Sequence, residues 1–345
     1  MLRVLHIVRH FGPVGGMECY VWRLTHELAN LGVKVEVLCE TLEASFDHRI
    51  LIHRVNASKE RRRWKAMRDF RVCCAQFWEG YHDKANVIVH SHERSVFHRV
   101  TTFHGPPIGE YLIKAGWLKR FQPRLRAWAQ FEKEEVCGSQ VKVVIPVSSK
   151  IGKSLKNIYP DVERMITTPG WPGTDASSEK RTMLNGSKLL FVGREWKRKG
   201  LDIAIDAFLG VKKLDPRVTL DIYGVSSADV PRHLRTQDQG VTFHGWQCDV
   251  PFGLYDVLVH PARNEPFGMV IPEARASGVS VVMSNEVGAR DLPLSGVNIV
   301  DINSSSTSWS RAIIEALAEG KFDSEVCWTW FDLAKWHMER VYAKF

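Results

Sequence analysis

The strongest constraint in this sequence is an alternation that runs through the chain twice. Short apolar runs of strand character, "RVLHIV", "KVEVLC", "NVIVHS", "VTTFHG" and "KVVIPVS", alternate with helical patterns such as Glu18–Leu31. After residue 185 the series restarts with "KLLFVG", a helix from Leu201, "VTLDIYG", "VTFHG", "DVLVHP", "VSVVMS" and "VNIVD". Two successive βα series predict an α/β protein of two doubly wound, parallel-sheet domains. The length of 345 residues suits two such cores better than one. "TTPGWPGTDASSEK", residues 167–180, is rich in Pro, Gly, Ser and Thr and is the expected linker, which places the domains at 1–166 and 181–329. The last segment, "CWTWFDLAKWHMERVYAKF", has apolar residues at helical spacing with no strand after it, and is expected to dock as a closing helix at about 330–345.

Composition narrows the class. With 44% apolar and 25% charged residues the chain reads as a soluble globular protein. No apolar run approaches the roughly 18 residues that a spanning helix needs. "MLRVLHIVRHFG" is too short and too charged for a signal peptide, so a cytoplasmic protein is expected. Seven scattered cysteines without a C-x-x-C pair fit neither a disulfide framework nor a zinc site. The net charge of +8 is lopsided: residues 1–164 hold 27 Lys and Arg against 17 Asp and Glu, and the remainder 20 against 22. A basic first half implies a surface for something anionic, whether nucleic acid, an anionic membrane or an acidic substrate.

Three stretches carry candidate chemistry. "NEPFGMVIPEARASG" follows the strand "YDVLVHPA" and sets Glu265 and Glu273 around a Pro-Phe-Gly turn, before a helix that stops at Gly278. Both acids therefore lie where a strand's carboxyl end meets a helix start, the edge at which parallel sheets bind ligands. "LLFVGREWKRKGLDIAIDAF" places Arg194 and Lys199 beside a helix start, an arrangement that suits a diphosphate and equally a solvated basic loop. Gly15 and Gly16 precede the first helix and serve either a phosphate contact or a tight turn. His90, His92, His98 and His104 crowd one short span, but no Asp/Glu set at ligand spacing accompanies them, and a metal is not expected. In "SKERRRWKAMRDFRVCCAQFWEGYH", Trp64, Met67, Phe70, Cys74, Phe77, Trp78 and Tyr81 form one helical stripe, and Arg61, Arg62, Lys65 and Arg68 another. Such a helix packs on the domain with its basic end free for lipid, or lies on an anionic membrane.

"GREWKRKG", followed about 65 residues later by "EPFGMVIPEARASG", resembles the retaining glycosyltransferases of family 4. "GGMECYVWRLTHELANLGVKVEVLC", "HSH", "TTFHG" and "VIPVSS" agree, so the resemblance spans essentially the whole chain. It implies the GT-B fold: two Rossmann-like domains facing each other across a cleft, the C-terminal helix closing back on the first. It implies that Gly15 and Gly16 line the donor diphosphate while Arg194 and Lys199 hold it from the other side. Glu273 would accept the ribose hydroxyls, Glu265 with the backbone of Phe267, Gly268 and Met269 would contact the donor sugar, and His104 would lie near the anomeric centre. The implied catalytic set is Glu265, His104, Arg194 and Lys199, with no metal and no cofactor. The implied reaction moves a hexose-type sugar from a nucleoside-diphosphate sugar to a hydroxyl of a glycan or lipid-linked acceptor, in envelope polysaccharide or lipopolysaccharide assembly at the inner membrane face. The chain departs from the family pattern at "PGWPGTD", Ser280, Asp291 and Cys19, none of them in the Arg/Lys/Glu/Glu set. A GT-B epimerase or phosphorylase is the alternative enzyme. A non-catalytic membrane or nucleic-acid binder leaves Glu265 and Glu273 unexplained, and no nucleic-acid module is recognisable.

Overall fold

The computed structural model describes residues 2–115, 119, 121–175, 187–235, 239–247, 249–320 and 323–345. It divides into two compact units, Met1–Gly173 with Trp328–Phe345, and Thr174–Cys327. Residues 176–180 of the expected linker, and the expected domain start at 181, lie outside the described residues.

In the first unit the strands are β1 (Arg3–Ile7), β2 (His10–Phe11), β3 (Lys34–Cys39), β4 (Thr41–Leu42), β5 (Leu51–Arg54), β6 (Ile88–Ser91), β7 (Val100–Phe103) and β8 (Val143–Pro146). Six of them form one parallel sheet in the order β5-β3-β1-β6-β7-β8, while β2 and β4 pair as a separate ribbon. Its helices are α1 (Gly16–Asn30), α2 (Arg63–Glu79), α3 (Ile108–Lys114), α4 (Pro123–Cys137) and α5 (Ser149–Ile158). The predicted stripe on α2 faces inward: Met67, Phe70 and Cys74 are buried against Leu5, Ile7 and Val89, with Phe77, Trp78 and Tyr81 packed on the same cluster. Arg61, Arg62, Arg63 and Arg68 stay exposed. The C-terminal segment belongs to this unit. Its helix, Trp330–Trp336, starts on a capping box between Thr329 and Asp332 and continues through a π-turn, His337–Val341. Gly173 makes the seat, because a Cβ there would lie 2.3 Å from Trp330 N.

The second unit contains β9 (Lys188–Val192), α6 (Trp196–Lys199), α7 (Leu201–Lys212), β10 (Thr219–Tyr223), β11 (Val241–Gly245), β12 (Val257–His260), α8 (Val270–Ala276), β13 (Ser280–Ser284), β14 (Val297–Val300) and α9 (Ser306–Glu319). Its sheet is parallel, in the order β11-β10-β9-β12-β13-β14. Phe208 of α7 with Trp309 and Ile313 of α9 bury against Leu189, Leu220 and Ile222 of the sheet. Both sheets thus wind outward from a central first strand and reverse beside it, between β1 and β6 in one and between β9 and β12 in the other. Ligands of doubly wound sheets bind at the strand carboxyl ends of that reversal. Among the described residues, no helix is long and apolar enough to cross a membrane.

Candidate active site

The reversal of the second sheet gathers the charged residues. Lys199 closes the four-residue α6, and Gly200 turns the chain into α7 at φ +77°. Only glycine fits there, since a Cβ would lie 2.0 Å from Pro261 O. A Cβ at Gly193, just past the end of β9, would lie 2.8 Å from Lys199 Cγ, so this glycine leaves the lysine its channel. From β12 the chain runs through His260 and Pro261 to Glu265, which is 8% exposed. Lys199 Nζ donates to Glu265 Oε2, and Arg198 Nη1 donates to the same oxygen at 3.0 Å and to Asn264 O at 2.8 Å. Burial would raise the Glu265 carboxyl, but the charges of Lys199 and Arg198 outweigh it and hold the group below its ordinary value. His260 Nε2 lies 4.0 Å from Glu265 Oε2. Burial, then the charge of Lys199, depresses this imidazole to about 3, so it is neutral. Neither of its ring nitrogens has a hydrogen-bond partner among the described residues. Two cations share the Glu265 carboxylate, and Arg198 Nε also donates to the exposed Glu195 Oε2 at 2.5 Å, so the two cations face two carboxylates.

The turn after Glu265 is fixed from the far side. Glu265 N donates to Glu286 O at 3.2 Å, Gly288 N to Glu265 O at 3.0 Å and Ala289 N to Phe267 O at 2.8 Å. Gly268 sits at φ +96°. α8 begins at Val270, two residues before the proline that marks it in the sequence, and carries the half-buried Glu273 in its first turn. In its opening turn Ile271 N donates to Gly268 O at 3.0 Å and Glu273 N to Met269 O at 3.2 Å, and Pro272 has no N–H. The structure therefore brings together Lys199, Glu265 and the 267–269 turn. Arg194 is absent from this cluster: it is exposed, its guanidinium 5.2 Å from the Trp246 ring centroid. Arg198, which the sequence reading lacks, joins Lys199 on Glu265. Nothing in "WKRK" distinguishes Arg198 from its exposed neighbour Lys197 except the phase of a four-residue helix.

The reversal of the first sheet gathers histidines. His6 of β1 and His90 of β6 are register partners, His92 follows β6 and His104 follows β7. His6 Nδ1 lies 3.0 Å from His92 Nε2, and His92 Nδ1 lies 3.1 Å from His104 Nε2. His90 pairs with Tyr342 OH at 2.7 Å and with Thr102 Oγ1 at 2.8 Å. His337 stands 5.5 Å from the His90 ring, centroid to centroid. Burial first, and the neighbouring imidazoles second, push His6 and His104 down to about 3 and hold His90 and His92 far below the ordinary range. His104 keeps part of its surface open although its ring is desolvated by these neighbours. Neutral imidazoles donate from one nitrogen and accept at the other. The chain His104–His92–His6 thus has two consistent tautomeric directions, and each fixes what His104 offers at Nδ1. His6, His90 and His92 bring ring nitrogens within 4.8 Å of one another, a spacing that could hold a metal; five of their six ring nitrogens pair with imidazoles or hydroxyls, while His6 Nε2 is buried without a hydrogen-bond partner among the described residues. His98 stands outside this cluster, bonded to Ser95 Oγ and Glu135 O. His6, His337, Tyr20 and Tyr342 are cluster members that the sequence reading lacks.

Gly15 is the N-cap of α1 and Gly16 its first residue. A Cβ on Gly16 would meet nothing within 4 Å, whereas one on Gly15 would lie 2.3 Å from Glu18 Oε2. A carboxylate already stands at this helix end, so an anion there must displace Glu18.

Two family profiles match the chain: "Glycosyltransferase Family 4" over residues 14–169, and "Glycosyl transferases group 1" over 186–319. Glycogen synthase of Mycobacterium tuberculosis is 26% identical over 234 residues, which are 61% of this chain and 54% of that protein. The chain thus spans about half the length of this curated relative. Among solved structures, the chain is similar to WaaG, a glycosyltransferase involved in lipopolysaccharide biosynthesis, with a TM-score of 0.77 and 18% identity over 98% of this chain and 95% of that one. It is also similar to Anabaena HepE in complex with UDP-glucose, with a TM-score of 0.65 and 15% identity over 99% and 100%. At such identities the structural likeness is one of fold. The matched profiles and the twice-repeated strand order together place this chain in glycosyltransferase family 4, its two units being the Rossmann-like halves of a GT-B fold.

Proposed function

We propose that the protein transfers a hexose-type sugar from a nucleoside-diphosphate sugar to a hydroxyl acceptor, with retention of anomeric configuration and without a divalent metal. The observation that carries this reading is the pairing of Lys199 and Arg198 with the buried Glu265 at the carboxyl ends of β9 and β12. Departure of a nucleoside diphosphate builds negative charge on the leaving oxygen. Cations already held in place by carboxylates stabilise that charge without reorganising. Glu265 holds both cations in place and presents its remaining lone pairs beside the 267–269 turn, where sugar hydroxyls can donate. Glu273 is assigned to the ribose hydroxyls. His104, kept neutral and tied to His92, is assigned to hydrogen bonding at the transferred sugar. The leaving oxygen then assists the incoming hydroxyl on the same face, which accounts for retention without a protein nucleophile. The HepE complex with UDP-glucose supports a donor of this class. The acceptor belongs to the glycans or lipid-linked sugars of envelope assembly.

The test is incubation with UDP-, GDP-, ADP- and CDP-sugars in excess EDTA, following release of nucleoside diphosphate and the anomer of the released sugar by NMR. Slow hydrolysis of one donor with a retained anomer is expected. Absence of turnover with every donor, or turnover only after magnesium or manganese is restored, would overturn the assignment.

A further inference from the structure

The first unit holds a concavity of about 870 Å³ whose lining includes Arg62, Arg63, Arg94 and Arg124 together with Trp64, Tyr111 and Trp128. Among the described residues that line it there is no carboxylate. Arg62 and Arg63 stand at the start of α2 and Arg124 at the start of α4, and neither helix has an acid in its first turn. All three arginines are exposed, and among the described residues none has a carboxylate within ion-pair distance. Arg94 lies deeper, its guanidinium 4.9 Å from the Trp128 ring centroid. Glu132 and Glu135 approach it only to 3.7 and 3.9 Å, and Arg94 Nε is buried without a hydrogen-bond partner. Glu132 is engaged elsewhere, accepting from Ile108 N at 2.7 Å and Tyr159 OH at 2.9 Å.

Like charges on one concave wall repel, and surface arginines ordinarily find local acids. Three exposed guanidinium groups without one, beside a fourth that Glu132 and Glu135 approach only to 3.7 and 3.9 Å, offer the bidentate donors that phosphate oxygens accept from. The cavity is in the size range of whole-ligand sites and far larger than a phosphate needs. The indole and phenol faces beside the arginines suit the apolar face of a sugar ring or the first isoprene units of a lipid.

We infer that this groove is an acceptor site that takes a phosphate-bearing molecule, a sugar phosphate or a lipid-linked diphosphate, with Arg62, Arg63, Arg94 and Arg124 on the phosphate and Trp64, Tyr111 and Trp128 against its organic body. The word acceptor rests on the proposed transferase reaction; the binding itself does not. Calorimetry on the full chain at 0.15 M salt therefore uses glucose 1-phosphate, farnesyl diphosphate and inorganic pyrophosphate as probes, with UDP titrated separately into the parent. One of the two organic phosphates should bind more tightly than pyrophosphate. Preference for farnesyl diphosphate marks a lipid-linked source, and preference for glucose 1-phosphate a soluble one. The triple change Arg62→Ser, Arg63→Ser, Arg124→Ser should weaken that binding about tenfold or more, as charge-assisted hydrogen bonds are lost. All three side chains are exposed, so the variant should melt with the parent. A charge-matched control, Arg126→Ser, Lys133→Ser, Lys153→Ser, should leave the affinity within about twofold, because screening confines the effect of distant charge. The inference fails if neither organic phosphate binds the parent more tightly than pyrophosphate, or if both triple variants bind alike. A parent that binds the organic phosphate but not UDP would keep the site and sink the transferase reading instead.

Discussion

In one unit the crevice beside the central strand is packed with neutral imidazoles; in the other it is closed by a carboxylate and two cations. The scaffold is the same, six parallel strands in the same relative order. The electrostatics are opposite. Burial strips the protons from His6, His90, His92 and His337, so the rings can pack at contact distance and act as directional hydrogen-bond partners. Burial of Glu265 fails to protonate it, because Lys199 and Arg198 share its oxygen. Desolvation therefore yields a neutral, tautomer-defined surface where like groups meet, and fixed, paired charges where opposite groups meet. The proposed function puts the diphosphate at the second.

The comparison breaks most visibly at Lys199. Lys199→Ala should lower turnover about 100-fold or more, as removal of a transition-state charge partner does. It should also lower the melting temperature, since Glu265 would keep one cation of two in a buried site. Retention of parent-like turnover by this variant would remove the cluster from catalysis.

A pH series sharpens the contrast next. His337 has a folded pKa near 4, below its unfolded value of 6.5. Its contribution to stability is thus whole above pH 6.5 and lost as pH falls toward 4. At up to about 1.4 kcal/mol per pH unit, His337→Phe should gain on the parent by about 2 kcal/mol between pH 6.5 and 5 in urea unfolding. The difference between variant and parent cancels the opposing contributions of Glu93 and Glu135, both raised by burial to about 7. Glu265→Gln should show no such trend in that window. The Glu265 carboxyl lies below its ordinary 4.5, so the parent's advantage from it persists until pH falls through that lowered value. A flat His337→Phe difference would mean that this ring is charged or solvated.

Smaller effects follow on each side. His92→Phe should reduce turnover about tenfold while leaving nucleotide affinity unchanged, because it frees the His104 tautomer, and His92→Gln should restore part of the rate. A His92→Phe enzyme as fast as the parent would end the relay. Smallest is Arg194→Ala, expected to cost less than about threefold, against about tenfold or more for Arg198→Ala in the same assay. The reverse order would return Arg194 to the site.

The residues show why some of this was legible in the sequence and some was not. Central strands such as "VLVH" and "SVVMS" are buried throughout and read as continuous apolar runs. The edge strand "LIHR" leaves Leu51 and Arg54 exposed and gives no such run. The nearness of Lys199 to Glu265 is legible because spacing around glycine turns is written locally, and Gly200 and Gly268 hold positive φ. Arg198 was missed because its direction depends on one turn of helix. His6 and His337 were missed because the contacts that give them meaning cross the chain: His6 bonds His92, 86 residues away, and the C-terminal segment reaches His90 through Tyr342, 252 residues away. Histidine clustering was visible. Its neutrality was not, since that is a property of burial.

The most direct test of the cationic cluster is calorimetric titration of UDP, GDP, ADP and CDP into the parent, Lys199→Met and Arg198→Met, all in excess EDTA. The account predicts that the parent binds one of these nucleotides without metal and that each methionine variant binds it about tenfold more weakly or worse. Equal affinity in Lys199→Met and the parent, or binding that appears only when magnesium or manganese is added, would contradict it.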